Sequence, residues 1–154
     1  MAENQQQQAD DLTDAFEMFD DWEDKYRFLI DLGRKLPALP EAEKTEENRI
    51  HGCQSRVWVI AERQAAPEGD VIEFLADSDS DIVKGLIAIL RRVYYGQTAD
   101  HILLFDIEGL LHRLELDQHL SMNRRNGLYE MIQRIKRLAL TLQSGHSTRP
   151  LEAK

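Results

Sequence analysis

The chain has 154 residues, 42% of them hydrophobic and 31% charged, with a net charge of −9. That is the length and balance of one globular domain with an ordinary core. Its apolar runs, such as Leu86 to Leu90, reach no more than five residues, far short of the roughly 20 a membrane-spanning helix needs. The lone cysteine, Cys53, excludes an intrachain disulfide framework and any zinc or iron–sulfur centre ligated by cysteines alone.

Charge is uneven. Residues 120–154 carry 7 basic and 2 acidic side chains, while the acid excess lies before them. Nucleic-acid binding needs a basic face, and this stretch reads more simply as the solvated side of a helix. The first residues lack the basic and apolar regions of a secretory signal, and no lipidation motif is present. The expected compartment is the cytoplasm.

In chain order, residues 1–11 are polar and Gln-rich and read as a disordered tail ahead of a single domain over 12–143. From Thr13 to Leu36, Phe16, Phe19, Trp22, Tyr26, Leu29, Ile30 and Gly33 recur at helical spacing, in one helix or in two if Asp20-Asp21 caps a second start. Pro37 and Pro40 end it, and Glu41–Asn48 reads as loop. Val57 to Ile60 and Asp70 to Leu75 predict an antiparallel hairpin closed around Pro67-Glu68-Gly69. A third strand near Arg49–Gly52 is expected, because two strands alone are marginal in water.

Ser78 and Asp81 have capping-box spacing ahead of a helix that runs to Tyr95 and stops at Gly96. Its apolar residues cover much of the circumference, so it should be the most buried helix. Thr98 and Asp106 are expected to cap short helices over 99–105 and 107–114. A last helix should follow Ser121 and reach about Leu142, and residues 144–154 read as a flexible tail. Clustered strands among more numerous helices give an α+β class, a small curved antiparallel sheet of about three strands packed against several helices.

No phosphate-binding glycine loop, zinc-protease motif, Cys-x-x-Cys pair or G-x-S-x-G elbow occurs. Five histidines are scattered, and only His112 and His119 share a helical side. No metal site and no resident cofactor is expected. Trp22 and Trp58 read as core anchors, and Lys84 as a rim residue. Attention falls on Ile50-His51-Gly52-Cys53-Gln54-Ser55-Arg56. A lone cysteine is most often a small buried hydrophobe. Here, however, it stands outside any apolar run, at the mouth of a strand. Gly52 before it allows an unusual backbone angle, and His51 and Arg56 are the nearest cationic groups along the chain.

Gly52-Cys53-Gln54-Ser55 followed by Val57-Trp58 resembles the signature of the SufE family of sulfur acceptors, which includes CsdE. Other blocks resemble the same family in the same order. They are Trp22 through Tyr26 to Leu32-Gly33 with Leu36-Pro37; Asp77-Ser78-Asp79 with Ile82-Val83-Lys84-Gly85-Leu86; and Gln118-His119-Leu120-Ser121, Arg124 and Gly127-Leu128 with Met131-Ile132. Together they span about residues 16–140.

The resemblance implies a SufE/NifU-like fold. It implies a partner, a pyridoxal-phosphate-dependent cysteine desulfurase of the SufS or CsdA type, whose persulfide sulfur Cys53 would take. Cys53 would then pass that sulfur on to a downstream iron–sulfur scaffold, and the carrier would stimulate the desulfurase. Arg124 and Asp79 match family positions near the partner surface or the cysteine loop, and Gly52 supports that loop. No nucleic acid and no membrane is implied. One cysteine suits a carrier, since a second nearby thiol could attack the new persulfide and expel sulfide. Two other readings stay open: a cysteine-nucleophile hydrolase, with His119 as the best-placed base by sequence, and a non-catalytic interaction module in which Cys53 is only packing.

Overall fold

The protein is described by a computed structural model over residues 2–67 and 69–143. Glu68 of the expected hairpin loop and the expected tail over 144–154 lie outside the described residues.

The chain opens with helix α1 (Ala2–Glu17), where the sequence reads as a disordered tail up to residue 11. Gln5, Ala9, Leu12, Thr13 and Phe16 are buried at helical spacing. The Gln run hides this face because its first member is polar, yet Gln5 is satisfied inside: its Nε2 donates to the carbonyls of Val93 at 2.8 Å and His101 at 3.2 Å. Asp21 then caps α2 (Trp22–Arg34), accepting the Asp24 N–H at 2.9 Å, so the second helical start is the one adopted.

Strands β1 (Val57–Gln64) and β2 (Val71–Ser78) pair antiparallel in the register Val57↔Ser78 to Gln64↔Val71. Ile72, Phe74, Ala76 and Ser78 turn one face of β2 into the core. The expected third strand is reduced to an isolated Arg49↔Trp58 bridge, with Ile50 N–H donating to Val57 O and Val59 N–H to Asn48 O. A turn at 45–48 and the left-handed Gly52 (φ 92°) leave too few extended residues between them for more. Among the described residues the sheet therefore has two strands.

Helix α3 (Asp81–Tyr94) lies at the centre, with Leu86, Ile89, Leu90, Val93 and Tyr94 at or near zero exposure. Its cap is Ser80, whose Oγ accepts the Val83 N–H; Ser78, the expected cap, instead accepts the Ser80 N–H and shapes the turn before the helix. Helices α2 and α3 cross where Gly33 meets Gly85. A Cβ on Gly33 would stand 2.6 Å from the Gly85 nitrogen, and one on Gly85 would stand 2.3 Å from the Leu29 carbonyl.

Thr98 and Asp106 cap α4 (Ala99–Leu104) and α5 (Ile107–Arg113). A short α6 (Leu116–His119) follows the left-handed Glu115, and α7 (Met122–Gln143) packs its Leu128, Met131, Ile132, Ile135 and Ala139 inward. Among the described residues, no helix is long and apolar enough to cross a membrane.

Candidate functional site around Cys53

Three elements converge on Cys53. The first is the segment 49–56, which carries it. Asn48 and Ile50 anchor the segment to β1, and α7 holds it from the other side: Arg134 donates to the carbonyls of Arg49 at 3.3 Å and Glu47 at 3.1 Å. The positive φ of Gly52 turns the chain back toward α7. The second element is the first half of α7, which passes under the cysteine at Gly127. The third is the start of α3, which contributes Val83 and Leu86 to the floor.

Cys53 is partly buried. Its thiol donates to the Gly127 carbonyl at 3.6 Å. Beside it is a small cleft of about 30 Å³, walled by Gln54 and Ser55 on one side and by Asn123 and Arg124 on the other. That is room for one small guest, since a single water needs about 10–15 Å³. The surroundings act on the thiol's charge. Burial pushes the Cys53 thiol up, the Glu130 carboxylate pushes it further, and Arg49 pulls it back less strongly. The balance of these influences favours the neutral thiol over the thiolate.

Arg124 stands on the cleft wall. Its Nη1 donates to Ser80 Oγ at 3.4 Å, linking α7 to the cap of α3, while its backbone N–H is held by Ser121 Oγ at 3.3 Å. Asp79 lies one residue before that cap and clamps Arg56: one carboxylate oxygen accepts the Arg56 backbone N–H at 3.1 Å, the other its Nε at 3.3 Å. The Arg56 carbonyl in turn accepts the Asp79 N–H at 3.3 Å. Thus Cys53 and Arg124 meet at the cleft, Gly52 turns the chain beside it against Glu130, and Asp79 reaches it indirectly, by fixing the downstream end of the cysteine segment.

The remaining sequence candidates are placed elsewhere. His119 stacks on Trp22 with ring centroids 4.0 Å apart, and its carbonyl receives the Tyr26 hydroxyl. His51 faces Glu46 at 2.8 Å, and His112 pairs with Asp117 at 2.8 Å. No described histidine lines the cleft, and the described residues contain no cluster of three or more metal-ligating side chains. Lys84 reaches the Asp77 carboxylate at the rim, 3.7 Å away. Trp22 and Trp58 are only partly buried; Lys44 lies over the Trp58 ring at 5.5 Å. A larger, mostly apolar groove formed by Leu111, Leu116, Leu120 and Ile132 flanks the other side of α7 and does not include the cysteine.

Sequence reasoning misses two charged residues here, Arg49 and Glu130. Glu130 is three residues beyond Gly127 and so on the same face of α7, a relation visible only once Gly127 is known to touch the sulfur.

The family model and the curated relatives point to one family. The profile described as "SufE: Fe-S metabolism associated domain" matches residues 10–139. An uncharacterized SufE-like protein of Rhizobium meliloti strain 1021 is 40% identical over 127 residues, covering 82% of this chain and 91% of its own length. Another, from Rhizobium etli, is 41% identical over 127 residues, covering 82% and 86%. Among solved structures, the solution structure of a hypothetical protein from Thermus thermophilus superposes with a TM-score of 0.68 at 21% identity, over 87% of this chain and 96% of that one, a likeness of fold. With its profile match running from α1 to α7 and these relatives at about two residues in five, the chain belongs to the SufE family, associated with iron–sulfur metabolism.

Proposed function

We propose that the protein is a sulfur carrier. Cys53 accepts persulfide sulfur from a pyridoxal-phosphate-dependent cysteine desulfurase of the SufS or CsdA type and passes it on toward an iron–sulfur scaffold. The observation that carries this reading is the placement of the single cysteine: partly covered, on a turn held between two anchors, and beside a space for one small guest.

The step is a thiol exchange. The Cys53 thiolate attacks the outer sulfur of the donor's persulfide. A new S–S bond forms as the old one breaks, and the donor's thiolate leaves with the bonding electrons. The proton lost by Cys53 balances the one the donor takes up, and there is no net oxidation. The chain's own residues contribute shelter and placement. Gly127 leaves room beside the sulfur, the cleft between Ser55 and Arg124 receives the added atom, and the Asp79–Arg56 clamp sets where the segment re-enters β1.

A resting neutral thiol fits a carrier that reacts only when docked, because docking must expose it and promote its ionisation. The setting is the cytoplasm, where a free thiol stays reduced. The hydrolase reading is less well supported, since no described histidine lines the cleft and His119, its expected base, stacks on Trp22.

The test is intact-mass analysis after incubation with cysteine and a SufS-type desulfurase. One added sulfur mapped to Cys53, and lost stimulation of the desulfurase in a folded Cys53→Ser variant, are expected. No adduct with either type of desulfurase overturns the reading.

A further inference from the structure

Glu130 is out of place for an ordinary surface carboxylate. It is partly buried, and it lies over the cysteine turn. Its Cγ and Cδ are 3.0 and 3.3 Å from where a Cβ on Gly52 would be, and its Oε2 is 3.7 Å away. Among the described residues it makes no hydrogen bond or ion pair. Arg49, the cation on the other side of the influence on Cys53, has a buried Nε with no partner. The remaining charged groups about the sulfur are already occupied: Arg124 at Ser80 and Arg56 at Asp79. Helix α3 presents only Val83 and Leu86 to the cleft.

We propose that Glu130 is an electrostatic latch on Cys53, and that the docking partner releases it by presenting a cationic side chain, a lysine or arginine, to its carboxylate. While Glu130 is unpaired, a negative charge over the Gly52–Cys53 turn opposes the thiolate. Once a cation pairs with it, that opposition is neutralised and Arg49 is left as the dominant neighbour. The same contact therefore marks the correct partner and readies the sulfur. The partner half of this inference rests on the carrier reading above.

The experiment has two arms. In the isolated protein, iodoacetamide alkylation of Cys53 is followed from about pH 6 to about pH 10 in wild type and Glu130→Gln. The variant is expected to react about three- to tenfold faster at neutral pH, with its titration midpoint moved to lower pH. An unchanged profile overturns the latch. A rise at every pH with the midpoint unmoved also overturns it, because that reports a lost cover and not a lost charge.

In the second arm, the concentration dependence of desulfurase stimulation is measured. Glu130→Gln is expected to raise the apparent KM several-fold while sulfur uptake at saturation is retained; an unchanged KM overturns the partner cation. Failure of the carrier reading is separate, since wild type would then gain no sulfur at any concentration while the alkylation arm still reports on the latch.

Discussion

The Gly127 carbonyl accepts the Cys53 thiol at 3.6 Å, and a Cβ added to Gly127 would stand 3.4 Å from the same sulfur. The glycine is thus both acceptor and spacer. Gly127→Ala fits in ordinary contact and gains helix propensity, so α7 should be unharmed or firmer by up to about 1 kcal/mol. Its methyl nonetheless fills space beside the Cys53 sulfur. Unfolding midpoints equal to or above wild type, together with slower sulfur uptake by mass analysis, are expected.

Gly52→Ala acts on the backbone. At φ 92° an L side chain is strained, and the new methyl would meet the Glu130 Cγ at 3.0 Å. A loss of about 1–2 kcal/mol in urea unfolding is expected, with the cysteine turn displaced from α7 and Cys53 labelled faster by a bulky maleimide.

The α2–α3 crossing sets a second kind of test, far from the chemistry. On Gly85 a methyl would sit 2.3 Å from the Leu29 carbonyl, a backbone atom that has little freedom to move aside. Gly85→Ala should cost about 1–3 kcal/mol or prevent folding. Wild-type stability in that variant would show that the two helices are not packed backbone to backbone.

Asp79→Ala removes both carboxylate contacts to Arg56. The pair is about half exposed, with side-chain exposures of 62% for Arg56 and 47% for Asp79, so the global loss should stay below about 1 kcal/mol. The local effect should be larger: freer motion of 53–56, seen as faster amide exchange in that segment.

Alkaline pH should weaken the fold through the same thiol. Burial first and Glu130 second raise the folded Cys53 value above that of an unfolded cysteine, about 8.5. The stability tied to the neutral thiol is therefore intact below that pH and is lost as pH rises through the folded value. Tyr94, raised by burial alone, adds a loss of the same sign at higher pH. Comparing urea unfolding of wild type and Cys53→Ser across this range isolates the thiol's share; equal slopes would contradict the shift.

Where apolar periodicity was strong, as in α3 and α7, the elements were legible in the sequence, as were the caps at Asp21, Thr98 and Asp106. Helix α1 was not, because its inward face begins with a glutamine that only tertiary carbonyls satisfy. The third strand failed for the opposite reason: local β propensity at 49–51 was overruled by turns on both sides. Ser78 lost its expected cap role to Ser80 by two residues, a shift that composition does not distinguish. At the site, Cys53, Gly52, Arg124 and Asp79 could be singled out from motif blocks. Glu130 could not, since its bearing on the sulfur arises from α7 crossing a segment some 75 to 80 residues away in the chain, and Arg49, four residues before Cys53, could not because only the fold of the turn brings its charge to bear on the thiol.

The buried amide of Gln5 ties the first turns of α1 to the carboxyl end of α3 and to α4, and Arg92 and Arg113 reach Gln8 and Asp10 from the same side. Shortening the protein to begin at residue 10, where the family match starts, would strip that lid. The Val93 carbonyl would lose its side-chain donor, the His101 carbonyl would keep only the Phe105 N–H, and neighbouring hydrocarbon would be laid bare. Such a trimmed preparation would clump on storage while the cleft beside Cys53 stayed intact.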